Sequence, residues 1–243
     1  MITFELTEVV GWEHAIRGMR NPMNSWLSSD SAWVAFGVKK DGVYVEKLSD
    51  DFGADWEYVI GPKDQNLMKR LRDAGTDHRK FMRMIAVYVD ITAPRYWWAE
   101  MDTYKVGTVA NSCSTMHKIT EKEFTLEDFS CEHLILPARG NLKNVIESLN
   151  FYRNLYLQFD SQPDSVKETF ECDKKNVWWQ IIQLLPGSYN QKRTVMLNYE
   201  VLANIYHSRK NHKLDEWRVG FMDWIKSLPY SELITGEEDN ESD

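Results

Sequence analysis

The chain reads as an α+β protein, a twisted sheet flanked by long helices, and three stretches predict it. Phe81 to Ile91 alternates, with Ile85, Val87, Val89 and Ile91 on one side and Met84, Ala86, Tyr88 and Asp90 on the other. That period of two belongs to a half-buried strand, and this strand is expected at the centre of the sheet. Asn141 to Phe159 repeats apolar residues at steps of three and four, among them Leu142, Val145, Ile146, Leu149 and Leu155, which makes a long amphipathic helix. Val166 to Leu185 does the same through Phe170, Val177, Trp178, Ile181 and Ile182, and Pro186 closes it.

The remaining elements follow from shorter signals. Residues 2 to 10 place Ile2, Phe4 and Leu6 on one side and read as a strand. A short helix over Glu13 to Arg20 is broken by Asn21-Pro22, and the serine-rich run Ser25 to Ser31 is a loop or a helix start. Val43 to Lys47 forms a short strand after the Asp41-Gly42 turn. Leu67, Met68 and Leu71 mark a helix over Lys63 to Ala74. It stops at Gly75, where the left-handed conformation that ends a helix costs glycine nothing. Pro94 ends the central strand, and Arg95-Tyr96-Trp97-Trp98 begins a short helix. A last helix runs from Tyr199 to Leu228 with a break near Asn211, turning Trp217, Phe221, Trp224, Ile225 and Leu228 inward.

Length and composition bound the function. With 243 residues, 43% hydrophobic and 27% charged, residues 1–235 suit one domain with a substantial core. Residues 236–243 are acidic, lack an apolar anchor and are expected to be a disordered tail. A net charge of -8 argues against a nucleic-acid surface, which needs clustered Lys and Arg. A free nucleotide needs only a local positive pocket, such as Lys105, Arg209, Lys210 and Arg218 could make.

Three cysteines with no CxxC pair suit a reducing cytosol, so no disulfide is expected. The first residues have no basic and apolar leader pattern, and no apolar run approaches the ~20 residues of a membrane span, so a soluble cytoplasmic protein is expected. His207 and His212 stand five apart, off the spacing that puts two imidazoles on one helical face, and no metal site is expected. Neither a Gly-x-Gly-x-x-Gly nor a Walker loop is present, so any dinucleotide binds in another way.

The most informative set is Asn198, Asn204 and Arg209, predicted on one broad side of a helix that begins twelve residues after Leu185-Pro186. Two amides and a guanidinium can read the polar edge of a heteroaromatic ring and an anion. A capping Asn, a solvated Asn and a surface Arg would give the same pattern. The stretch Leu185-Pro186, Tyr189, Asn198, Leu202, Asn204, Arg209 and Asp215-Glu216-Trp217-Arg218 resembles the C-terminal core of the flavin-dependent thymidylate synthases. Gly75-Thr76-Asp77-His78-Arg79-Lys80-Phe81, the strand after it, and Tyr104 to Ser114 are similar to that family's His-containing turn, central strand and Asn-x-x-Ser loop. The resemblance spans roughly residues 60 to 228.

The resemblance implies the family's fold and its homotetramer, whose active sites draw on several subunits. It implies FAD reduced by NADPH, a methylene from methylenetetrahydrofolate, and methylation of dUMP to dTMP without an enzymatic nucleophile. By the same resemblance His78, Asn111, Asn198 and Asn204 would hold the flavin, and Lys105, Ser114 and Arg209 the nucleotide.

The chain also departs from the family. Thr103-Tyr104-Lys105 stands for the hallmark Arg-His-Arg, and reaching Ser114 takes one extra residue. Ser112 replaces the Glu after the loop Asn, and Met116 and Ile182 replace two arginines. Those losses support an alternative, a paralogue that keeps the fold and binds a nucleotide or a protein partner without making thymidylate.

Overall fold

The computed structural model describes residues 2–36, 39–40, 43–44, 55–169 and 173–237. Its main sheet is antiparallel, built from β1 (Thr3–Val10), β6 (Ala86–Pro94), β7 (Val109–Ser112) and β8 (Asn190–Asn198) in the spatial order β1-β6-β8-β7. In the register of β6 with β8, Val87 faces Leu197 and Val89 faces Val195, so one face of the sheet is a continuous apolar surface. Helices α1 (Trp12–Arg20), α3 (Arg95–Met101), α8 (Tyr199–Arg209), α9 (Met222–Lys226) and α10 (Glu232–Thr235) contribute to that core, as do Met68, Phe81, Met82, Trp217 and Phe221.

The opposite face carries polar side chains. Lys192 Nζ sits 2.7 Å from Glu5 and 3.1 Å from Asp90, and Thr194 Oγ1 donates to Asp90 at 2.6 Å. The Thr194 hydrogen bond, with Lys192 beside it, holds the Asp90 carboxyl below its usual range. The class inferred from sequence, α+β with the Phe81–Ile91 stretch contributing the central strand, is the class observed.

A second apolar cluster lies outside the sheet. Helix α5 (Leu136–Leu157) packs on α7 (Lys174–Leu184), burying Leu142, Ile146, Leu149 and Ile181 together with Ile119, Phe124, Phe129 and Leu185. The Phe129–Tyr189 bridge ties this lobe to the start of β8. Helix α2 (Pro62–Asp73) ends as expected, with Gly75 at φ +100°.

Near the N-terminus, β2 (Ala32–Phe36) pairs with β5 (Asp55–Val59), and β3 (Lys39–Lys40) with β4 (Val43–Tyr44). Residues 45–47 of the expected Val43–Lys47 strand lie outside the described residues, as do 238–243 of the expected tail. Among the described residues no helix is long and apolar enough to cross a membrane.

Several boundaries differ from expectation. Arg79–Met84 is a tight 3-10 turn rather than the start of the central strand, and its consecutive Phe81 and Met82 are both buried, off the period of two that begins at Ile85. The Val166–Leu185 helix is two elements, α6 (Asp164–Thr169) and α7, since Asp173 accepts from the Asn176 N–H at 2.7 Å and begins a new helix. Residue Phe170 lies outside the described residues. The Tyr199–Leu228 helix is broken after Arg209 as expected, and resumes through a wide π-helical turn at Glu216–Phe221. Leu6, read on one side of the strand with Ile2 and Phe4, is 82% exposed with φ +52°, at a bulge where the β1–β6 register shifts between Glu5 and Glu8.

Candidate functional site

Strand β8 runs into α8 and the two carry Asn198, Asn204 and Arg209, while Lys105, Asn111 and Ser114 lie on or beside β7 and His78 precedes the Arg79–Met84 turn. At the helix end, Asn198 is the N-cap of α8, its Oδ1 accepting from the Val201 N–H at 3.0 Å. The turn between α3 and β7 presses on it. Gly107, at φ +75°, lies so close that a Cβ there would sit 2.9 Å from Asn198 Nδ2 and 3.0 Å from Val201 Cγ2, so this turn needs glycine both for conformation and for space. Replacing Asn198 with alanine should cost about 1 kcal/mol of stability, as loss of an N-cap does, measured by urea unfolding. A change below a few tenths would show that the Val201 N–H finds water instead.

Asn204 stands on the exposed side of α8 and accepts from Arg79 Nη2 at 3.0 Å. Arg79 also lies 3.5 Å from Glu200, a buried carboxylate that Arg83 pairs with as well. His78 precedes this pair, exposed and without a side-chain hydrogen bond among the described residues. The structure therefore brings His78, Arg79 and Asn204 to one edge. Neither Arg79 nor Arg83 is among the site residues expected from sequence, where Arg79 stands in the His-containing turn and Arg83 in the expected strand.

Arg209, the expected anion ligand, is already engaged. Its Nη1 meets Glu100 Oε2 at 2.7 Å and its Nε donates to the Tyr104 hydroxyl at 2.9 Å. The guanidinium lies 5.2 Å from the Trp217 ring centroid, and His212 Nε2 stands 3.2 Å from the same Glu100 oxygen. Glu100, eight residues beyond Thr92 on the short helix α3, carried no sequence signal because its partners are more than a hundred residues away.

At the other end, β7 pairs Asn111 with Thr194 and Ser112 with Arg193, leaving Asn111 exposed. Ser114 caps the short helix α4 (Thr115–Lys118), its oxygen accepting from the His117 N–H at 3.2 Å. Three cavities open around this strand. One of about 300 Å³ is walled by Trp98, Met101 and Tyr104, with Lys105 and Thr108 at its edge. The Thr108 hydroxyl is buried and has no hydrogen-bond partner among the described residues.

The other two cavities, of about 340 and 670 Å³, share Cys113, Ser114, Thr115 and Gln191. The smaller one contains Met116 and Ile182, the two positions where arginines were expected from the resemblance, and beside them Arg95 and Arg193. Ser114 and Lys105 thus line cavities; the Lys105 cavity shares Tyr104 with Arg209, and Gly107 of the same turn abuts Asn198, whereas the two cavities at Ser114 share no lining residue with it.

The whole fold has known counterparts. The chain overlays on a crystal structure of the flavin-dependent thymidylate synthase ThyX from Helicobacter pylori complexed with FAD and dUMP, with a TM-score of 0.59, 14% identity and 97% of each chain covered. A second structure of Helicobacter pylori ThyX with FAD and dUMP matches at TM-score 0.59, 13% identity and 98% of each chain. No protein-family model matches the sequence, and no curated protein does. At such identities the likeness is one of fold, and the chain has a ThyX-like fold.

Proposed function

We propose that the chain is a cytoplasmic, flavin-dependent thymidylate synthase-like enzyme that binds FAD and dUMP. In this reading it uses NADPH and methylenetetrahydrofolate as co-substrates and works as a homotetramer. The observation that carries this reading is the whole-length likeness to proteins crystallised with FAD and dUMP.

The donor chemistry fits a flavin. Asn198 and Asn204 each spend the amide oxygen within the fold, on Val201 and Arg79, and keep the NH₂ donors. With the free imidazole of His78 and the exposed amide of Asn111, this set would offer donors to the carbonyl-rich edge of the ring. The 300 Å³ cavity, with its unpartnered Thr108 hydroxyl, has room for a ring rather than a whole dinucleotide, so the remainder would lie against a neighbour. FAD, when bound, supplies the redox chemistry of the methylation, while the chain positions and orients. Lys105 and Ser114 would hold the nucleotide, and Arg209, with Nε and Nη1 spent on Tyr104 and Glu100, would join them through Nη2.

That engagement of Arg209 is the observation favouring a second reading, a paralogue with the same fold that binds a nucleotide without making thymidylate. Expression in a thymidine-requiring host separates the two. Rescue is expected for the synthase, and failure by a folded protein that purifies with bound flavin overturns it in favour of the paralogue.

A further inference from the structure

A fourth cavity, of about 540 Å³, is walled by helices alone, where α4 meets the lobe of α5 and α7. Tyr156 of α5 and Trp178 of α7, both half-buried, face it together with Lys174 and Lys175 from the first turn of α7 and Met116 and His117 of α4. Among the described residues no aspartate or glutamate lines it, and Met116 is the one residue it shares with the cavities at Ser114.

The two ammonium groups are placed differently. Lys174 Nζ is anchored, 2.5 Å from Asp160 Oδ2 and 5.4 Å over the Tyr156 ring centroid. Lys175 is exposed and has no carboxylate partner among the described residues. The neighbouring Asp173 spends its Oδ1 on the Asn176 N–H as the N-cap of α7. Asp160 thus offsets Lys174, and Lys175 adds one positive charge that nothing beside it in the wall matches. One unmatched charge suits a monoanion better than a doubly charged phosphate.

The aromatic side of the wall is open as well. Trp178 packs against the second apolar cluster, and the one ring it touches is Trp179, edge-on at 5.1 Å. Tyr156 and Trp178 make no ring contact with each other, so the volume between them has room for a further ring.

We propose that this cavity binds an aromatic carboxylate, its ring laid against Trp178 and its carboxylate drawn to Lys175. The indole face takes up ring area, and the ammonium, a point charge on a flexible stem, selects for the negative charge. This site is independent of the function proposed above.

Calorimetric titration of the full chain with 2-naphthoate, 2-naphthalenemethanol, cyclohexanecarboxylate and 2-naphthyl phosphate tests it. Wild type should bind 2-naphthoate about fivefold more tightly than the neutral ring, as one exposed ion pair allows, and more tightly than the other two. Lys175→Gln, at an exposed position that leaves the fold intact, should erase most of the preference over the neutral ring. Trp178→Leu should weaken both naphthalene ligands together, and Lys226→Gln, which removes an equal charge from α9, should change neither. Wild type that does not take up 2-naphthoate overturns the assignment, as does a preference unchanged in Lys175→Gln or tighter binding of 2-naphthyl phosphate than of 2-naphthoate.

Discussion

Asp64→Ala is expected to lower the free energy of unfolding by about 3–5 kcal/mol, because it strands a buried arginine without its counter-charge. Asp64 is fully buried, and Arg20, 5% exposed, meets its Oδ1 through both Nε and Nη2 at 2.6 Å. Its other oxygen accepts from Ser29 Oγ at 2.5 Å, from Ser31 Oγ at 2.7 Å, and from the Asp30 and Ser31 backbone N–H groups at 3.2 Å. One carboxylate thereby ties α1, the segment entering β2, and α2 together.

Burial pushes the Asp64 carboxyl up, but the hydrogen bonds from Ser29, Ser31 and Arg20 outweigh it and leave the pKa below the unfolded value of 3.8. A depressed pKa makes this contribution fully present above the unfolded value and removes it as pH falls through the folded one. Urea unfolding at neutral pH measures the loss, and Asp64→Ala within 1 kcal/mol of wild type, at about that resolution, would refute it. The double replacement Arg20→Met with Asp64→Leu should recover only part of the loss, since it removes both charges at once but leaves the Ser29, Ser31 and backbone donors without their acceptor.

Trp217→Ala should cost about 3–5 kcal/mol, the range for deleting a buried aromatic side chain. Trp217 is fully buried at the wide turn, with its ring centroid 4.6 Å from Trp97 and 5.1 Å from Phe221. Its indole N–H has no acceptor among the described residues. Trp217→Phe should therefore cost clearly less than Trp217→Ala, because it keeps most of the ring and discards an unsatisfied donor. Unfolding curves that place the two variants together would show that the indole body contributes little. Because Trp217 also supports Arg209, the alanine variant should loosen the Arg209–Glu100 pair as well.

Much of the architecture was legible where a single periodicity governed a whole element. Ile85, Val87, Val89 and Ile91 all lie inward, and Gly75 stops α2 where its backbone freedom predicts. Strand β8 escaped because Gln191, Lys192 and Arg193 are polar on both faces, held by partners on other strands and helices, and only Val195 and Leu197 show a buried face. The β2–β5 ribbon escaped because no short turn signal links strands that far apart in sequence. At the site, Asn198, Asn204 and Arg209 do share the α8 region. What could not be read was the competition for them, Val201 for one amide, Arg79 for the other and Glu100 for the guanidinium, since each of the last two pairings spans more than a hundred residues.

The kink at Leu6 has a consequence for how copies of this chain can join. A crooked outer strand cannot template another along its length, so the β1 border is closed to lengthwise addition of a foreign strand. The opposite border is formed by the four solvent-facing residues of β7, which pair with β8 in unbroken register. Growth of the sheet between molecules is thus one-sided, and a back-to-back union at β7 would halt after two copies instead of extending into a fibre.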